Sequence, residues 1–458
     1  MKKGKYLVVV LVFIISIGLI IVNFPSETIL PSNTELVQNS LKVGAKTPEF
    51  PSIIGKSAIT MVLGSNEVIY SKDANAKRYP ASLTKLMTAY LFAKNATPDS
   101  IIPYTESAEE QPAFSLGKNF GPVYVGETML AKYVMDALLL YSANDSAYMI
   151  ADYVGGSKDN FVKMMNDEVQ KLGLKGTHFM NPNGLQNPDH YTTAYDLAII
   201  GQLPYSIPWS RETMGTKTAT INFQNSDKMI TINNRNSNLG KDGNVAGKTG
   251  YTDQAHSCLF NIDVRNGKTI VGVVMDSTNI LNSPEMYSDM KKIMDYSYNV
   301  ATQQVYEEAG TQIFDPILTY KLFGFFGPTR TIKVPMVLKD NIMYYNNPEN
   351  NNFSNVTMDT NKLSAWDCIF NKSKVNVKFN ELKYSKDYAV TPQVSIGQLI
   401  GPLIFAYVLL IIAIIAALAF ILMLIRDINI SRRKKKRKLK KNSNNKNKGN
   451  NPNKKMNR

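Results

Sequence analysis

The chain is poor in the residues that carry most metal and redox chemistry. Its 458 residues include two cysteines, Cys258 and Cys368, and three histidines, His178, His190 and His256. The cysteines are 110 residues apart with no C-x-x-C pairing, so the pattern offers neither a zinc site nor a disulfide framework and reads as two buried thiols. No G-x-S-x-G elbow occurs for a histidine to serve, which removes the usual setting of a Ser-His-Asp triad. Net charge is also small outside one end. The formal net charge is +15, but residues 426–458 hold 15 Lys/Arg against the single acid Asp427. The basicity therefore belongs to a tail, expected to be disordered and solvated, and no nucleic-acid-reading fold accompanies it. A hydrophobic content of 44% and a charged content of 19% describe a folded protein, long enough for two domains plus accessories.

Two apolar runs frame the chain. Residues 1–24 place Lys2, Lys3 and Lys5 ahead of an uncharged stretch from Tyr6 to Val22, the pattern of a signal peptide or an uncleaved signal anchor. Leu403 to Ile425 is 23 residues without a charge, enough to span a hydrocarbon core of about 30 Å at about 1.5 Å per residue. Basic residues precede the first run and follow the second, so the positive-inside rule puts both ends in the cytoplasm and the intervening chain outside. The tail of 426–458 is expected to lie against anionic lipid headgroups.

Between the runs, residues 25–55 read as a proline-containing linker. Ser57–Leu63 and Glu67–Tyr70 read as a strand pair around Gly64-Ser65-Asn66. Amphipathic helices are expected after Pro80 with Ser82 in the first turn, over Thr128–Tyr141, over about Ser146–Tyr153 and over 158–172. Cys258–Val264 and Thr269–Met275 form a hairpin around Asn266-Gly267, and Met286–Val300 is a last helix. This order implies an α+β domain over 56–305 in which N- and C-terminal strands share one antiparallel sheet around an inserted helical cluster. A small all-β domain follows over 315–397, with strands expected at Thr331–Leu338, Ile342–Tyr345, Asp367–Phe370 and Lys374–Phe379.

Three short motifs carry chemistry. Ser82-Leu83-Thr84-Lys85 is one of five S-x-x-K copies and means little alone, but only this copy opens an expected helix behind a proline and precedes Ser142-Ala143-Asn144 and the unique Lys248-Thr249-Gly250 at a plausible spacing. Residues three apart share a helix face, so Lys85 can reach the Ser82 hydroxyl, and a buried lysine beside other cations loses its proton readily. Ser142 and Asn144, in a loop between helices, can relay a proton and hold Lys85 and a substrate backbone; as a cap pair they would serve structure alone. Lys248 and Thr249, at the start of a strand, can bind a carboxylate, and Gly250 permits close approach. The backbone N–H groups of Ser82 and Tyr251 are candidate oxyanion donors. His256, six residues beyond Gly250, can line the site or play a structural part.

The segment from Arg78 through Ser82 and Lys85 to Thr88 resembles the active-site segment of the D-alanyl-D-alanine carboxypeptidases, low-molecular-mass penicillin-binding proteins of the serine D,D-peptidase family. Ser142-Ala143-Asn144-Asp145, Asn181-Pro182-Asn183-Gly184-Leu185, Asn234-Arg235-Asn236 and Gly247 to Thr252 match the same family, over about residues 50–305. The resemblance implies a penicillin-binding transpeptidase-type fold, Ser82 as acylated nucleophile, Lys85 as base, Ser142 and Asn144 as helpers, and Lys248, Thr249 and Arg235 on the substrate carboxylate. It implies peptidoglycan stem pentapeptides as substrate, β-lactams as mimics, and no metal or organic cofactor. The chain departs from the family at Ala255-His256, where Ala-Gly is usual, and its spanning anchor is similar to that of certain Gram-positive members. Beside carboxypeptidase action, a D,D-transpeptidase and a non-catalytic wall-binding protein remain as readings. A β-lactamase lacks its E-x-x-x-N loop here. Oligomeric state is not encoded in any of these features.

Overall fold

The computed structural model describes residues 35–37, 49–321, 324, 327 and 329–448. The expected signal segment over 1–24 and the end of the basic tail beyond 448 lie outside the described residues.

The protein is α+β. A five-stranded antiparallel sheet joins strands from both ends of the first part: β1 (Ser57–Val62), β2 (Val68–Lys72), β3 (Asn244–Gly250), β4 (Cys258–Arg265) and β5 (Lys268–Met275), in the order β2-β1-β5-β4-β3. Strand side chains alternate between faces. Ile59, Met61, Val271 and Val273 point into the main core against the helical cluster, whereas Ala58, Ile270 and Val274 pack under the C-terminal helix through Met286, Met290 and Ile293. Both faces are thus covered, and a motif at the end of one of its strands is held on a rigid support.

The helical cluster contains α1 (Lys85–Asn95), α2 (Asn144–Gly155) and α3 (Ala194–Ser206), with α4 (Pro284–Asn299) on the far face of the sheet. Three local expectations change. Ser82 is not in an α-helical turn but in a 3-10 turn, Ala81–Thr84, that leads into α1; α1 itself is buried on nearly every side, not amphipathic. The apolar period over Thr128–Tyr141 does not give one helix. Thr128–Leu130 pairs as a strand with Ile101–Pro103, Ala131–Asp136 is helical, and Ala137–Tyr141 widens into a π turn that ends at Ser142 with φ +75°. A widened turn re-aims the residue that leaves it. Finally, Lys248-Thr249-Gly250 closes β3 instead of opening it, because the run from Asn244 pairs along β4 until Gly250 meets Cys258.

Beyond α4 the chain is β-rich. A six-stranded sheet runs in the order Glu35–Val37, Asn355–Met358, Asn376–Glu381, Tyr384–Pro392, Met336–Leu338, Gln312–Phe314. The 25–55 segment therefore supplies an edge strand. β6 (Ile317–Lys321) and β7 (Thr329–Lys333) form a separate hairpin. Asp367–Phe370, expected as a strand, is a helical turn: the Asp367 carboxylate accepts the Ser364 N–H (3.0 Å) and the Ser364 hydroxyl accepts the Trp366 N–H (3.3 Å). Such local side-chain bonds compete with a ladder and favour a turn. The short helix Pro348–Phe353 lies on β2, where Asn347 and Asn350 both donate to the Val68 carbonyl and Asn347 accepts the Ser71 hydroxyl.

The chain leaves the β-rich part through α5 (Ile396–Ile400) and a 3-10 turn into α6 (Ile404–Lys448). α6 has one stretch, Tyr407–Lys440, long and apolar enough to cross a membrane. It continues through the basic block that was expected to be disordered; Lys and Arg are good helix formers, and the helix is already nucleated upstream.

Candidate active site

The three motifs meet in one cleft between the helical cluster and the end of β3. Its walls are Ser82, Phe114, Ser142, Asn144, Gly184, Leu185, Arg235, Thr249, Gly250, Tyr251, Thr252, Leu281 and Asn282. None of these is acidic.

Lys85 is the centre of the site. It is fully buried, and its ammonium nitrogen lies 3.0 Å from Ser82 Oγ, 2.9 Å from Asn144 Oδ1 and 2.7 Å from the Asn183 carbonyl. Burial, and next the charge of Arg235, push its pKa down to about 7, against a weaker opposing pull from Asp145. Lys248 is also fully buried; it donates to Ser142 Oγ (2.8 Å) and to the Thr249 carbonyl (2.9 Å). Its pKa is lowered too, by burial first and then by Lys85 and Arg235. Lys85 thus hydrogen-bonds Ser82 directly, while Lys248 and Ser142 form a second hydrogen-bonded pair in the same cleft.

Local chemistry sets these positions. Asn144 opens α2 while its N–H donates to the Phe114 carbonyl (2.7 Å) and its Nδ2 to the Ala113 carbonyl (2.9 Å), leaving Oδ1 for Lys85. The Asn181–Leu185 loop is tied down by Asn181 Oδ1, which accepts the Gly184 N–H (2.7 Å), and by Thr88, which donates to the Pro182 carbonyl (2.6 Å). Gly184 has φ +85°, and a Cβ there would sit 1.9 Å from the Ala81 carbonyl oxygen, so only glycine lets the loop close on the Ser82 turn. Gly250 approaches the same turn: a Cβ on it would lie 3.2 Å from the Ser82 nitrogen. His190 receives the Met180 N–H on Nδ1 (3.3 Å), so its protonated Nε2 donates to Thr84 (2.9 Å); burial lowers its pKa to about 4 and keeps it neutral.

Every expected site residue is therefore in or directly behind the cleft: Ser82, Lys85, Ser142, Asn144, Arg235, Lys248, Thr249, Gly250 and Tyr251. His256 is not among the lining residues. Its backbone takes φ +56° and its Nδ1 pairs with Asp276 at 2.8 Å, beside Arg78 and Lys56. Sequence reasoning missed the Asn183 carbonyl, which no motif spacing reveals, and Phe114, whose ring lies 4.5 Å under the Arg235 guanidinium. The positive φ of Phe114, +63°, is the structural mark of that position.

Known proteins resemble the part of the chain that holds most of this cleft. The family described as D-alanyl-D-alanine carboxypeptidase matches residues 44–279. The chain is 30% identical over 245 residues to D-alanyl-D-alanine carboxypeptidase DacF of Bacillus subtilis, a match covering 53% of this chain and 62% of that protein. It is 32% identical to DacD of Escherichia coli over 50% of this chain and 60% of that one. The chain thus spans under two thirds of the length of these curated relatives. The crystal structure of the Streptomyces K15 DD-transpeptidase superposes with a TM-score of 0.50 at 28% identity, over 55% of this chain and all of that one.

Proposed function

The chain belongs to the D-alanyl-D-alanine carboxypeptidase family, and on that premise we propose that it removes the terminal D-alanine from peptidoglycan stem pentapeptides through a Ser82 acyl-enzyme. The observation that carries this reading is the Lys85 amine, 3.0 Å from Ser82 Oγ with a pKa lowered to about 7. Neutral Lys85 takes the Ser82 proton as Oγ attacks the penultimate carbonyl carbon. The oxyanion receives the N–H groups of Ser82 and Tyr251. Collapse breaks the peptide bond, and the leaving D-alanine nitrogen takes the proton held by Lys85, relayed through Ser142, which Lys248 contacts; Lys85 is neutral again. Arg235 and Thr249, with Lys248 behind them, attract the terminal carboxylate in a cleft lined by no acid. Water then attacks the acyl-enzyme and gives a proton to Lys85, which passes it to Ser82 Oγ as the ester bond breaks and the tetrapeptide leaves. β-Lactams enter the same path and stop at the acyl stage.

Replacement of that water by an amine gives a D,D-transpeptidase, a reading supported by the likeness to the K15 enzyme. D-Alanine release from a pentapeptide, measured for the wild type and Ser82→Ala, tests the first reaction; mass spectrometry of muropeptides with an added amine acceptor tests the second. Retained penicillin labelling of Ser82→Ala would overturn both. α6 serves as the membrane anchor, with the catalytic part outside the cytoplasm and the basic tail on the cytoplasmic face against anionic lipid.

A further inference from the structure

The join between the β-rich part and α6 has no slack. Leu399 on α5 is fully buried in the core of the β-rich part, α6 starts at Ile404, and Tyr407 already packs against that same core, which includes Tyr320 of β6. The apolar run begins at Leu403. No polar stretch separates the folded surface from the apolar helix. A bilayer that takes up the helix from its first turns must therefore reach the surface from which the helix emerges.

That surface is aromatic. Trp366 lies edge-on to Tyr320, with ring centroids 6.1 Å apart, and stacks on Phe370 at 5.9 Å and 19°. Trp366 donates its Nε1–H to the Lys321 carbonyl (2.9 Å) and is only partly buried. Phe370 is 68% exposed, more than any other large apolar side chain among the described residues between 301 and 403. Lys372 and Lys374 follow it, both exposed. Aromatic rings whose polar edge is satisfied, flanked by lysines that keep their ammonium in the aqueous layer, are the composition of the headgroup level of a membrane.

We propose that the Trp366–Phe370 face of the β-rich part inserts into the headgroup–acyl boundary of the membrane that α6 crosses, as a second attachment beside the helix. This rests on the reading of α6 as a spanning anchor. Two attachments fix the part's tilt as well as its height, which one helix alone does not.

The chain has two tryptophans, Trp209 and Trp366. In the full-length Trp209→Phe protein, reconstituted in phosphatidylcholine–phosphatidylglycerol vesicles, emission reports Trp366 alone. A sodium carbonate wash first tests the anchor: extraction of the protein from the vesicles refutes the spanning reading and this inference with it. With the protein retained, lipids brominated near the glycerol end of the acyl chain should quench Trp366 more than lipids brominated near its terminus, and aqueous iodide should quench it little. Phe370→Ser, checked for folding by penicillin labelling, should reduce the lipid quenching. Strong iodide quenching with none by brominated lipid overturns the inference while leaving the anchor standing. Protection from both quenchers overturns it as well, because the face would then be covered by protein.

Discussion

The lowered pKa of Lys85 makes the pH profile of acylation a direct reading of the site. At pH 7 a lysine with its ordinary value near 10.4 is neutral in about one molecule in a few thousand. With the pKa near 7 about half of the molecules hold the free amine at that pH, a gain of about three orders of magnitude in available base. The base must be unprotonated, so the rate rises with pH through about 7 and levels above it, falling about tenfold for each pH unit below. Single-turnover acylation by a fluorescent penicillin, followed by stopped flow from pH 5 to 9, measures this curve. The perturbation is Arg235→Gln. Arg235 is the second cause of the lowered value after burial, so its removal should move the inflection to higher pH, and rates at pH 6 should fall more than rates at pH 9. Asp145→Asn removes the opposing pull and should move the inflection the other way. A profile flat between pH 5 and 9, or an inflection that neither substitution moves, would refute the assignment of Lys85 as the base.

Three further outcomes follow from the same structure. Phe114→Ala removes the ring beneath Arg235 and should lower kcat/KM for carboxylate-terminated peptides about two- to tenfold, the range of a cation–π contact, with little effect on an amide-capped analogue. Gly184→Ala adds a Cβ 1.9 Å from the Ala81 carbonyl at a φ of +85°; the melting temperature should drop by several degrees and penicillin labelling with it. Glu381 is buried in the β-rich part with Oε2 unpaired, and burial raises its pKa to about 8. The folded protein therefore holds a proton that the unfolded chain releases above about pH 4.5, so this group costs stability progressively from pH 4.5 to 8. Glu381→Gln should raise the melting temperature at pH 8.5 and leave it nearly unchanged at pH 4, as read by calorimetry.

The site was legible because its chemistry is spelled by side chains at short range. Ser82 and Lys85 are three residues apart, and Lys248-Thr249-Gly250 occurs once. The sheet that joins both ends of the first part could be read from alternation and from the Asn266-Gly267 turn. What escaped depends on the backbone. The π turn at Ala137–Tyr141 has the same apolar period as a helix, and the Asn183 carbonyl carries no residue code at all. Phe114 looked like one more apolar residue until Arg235, 121 positions later, was seen over its ring. The helix at Asp367–Phe370 was hidden because two side-chain bonds from Ser364 and Asp367 outweigh β-prone neighbours. In the basic block, charge density suggested disorder, whereas continuity with α6 decides the conformation.

The sheet has two edges, and they are treated differently. The β2 edge is occupied: amides of Asn347 and Asn350 take the Val68 carbonyl, and the Pro348–Phe353 helix lies over it. The β3 edge ends beside Ser82. An open strand edge is a template for any extended chain, including a second copy of the protein. With one edge stoppered from within, this sheet keeps one edge for main-chain pairing, and that edge runs past Ser82. An extended peptide that pairs with the sheet is thereby delivered to the reacting hydroxyl, and sheet-to-sheet polymerisation through both edges is closed off.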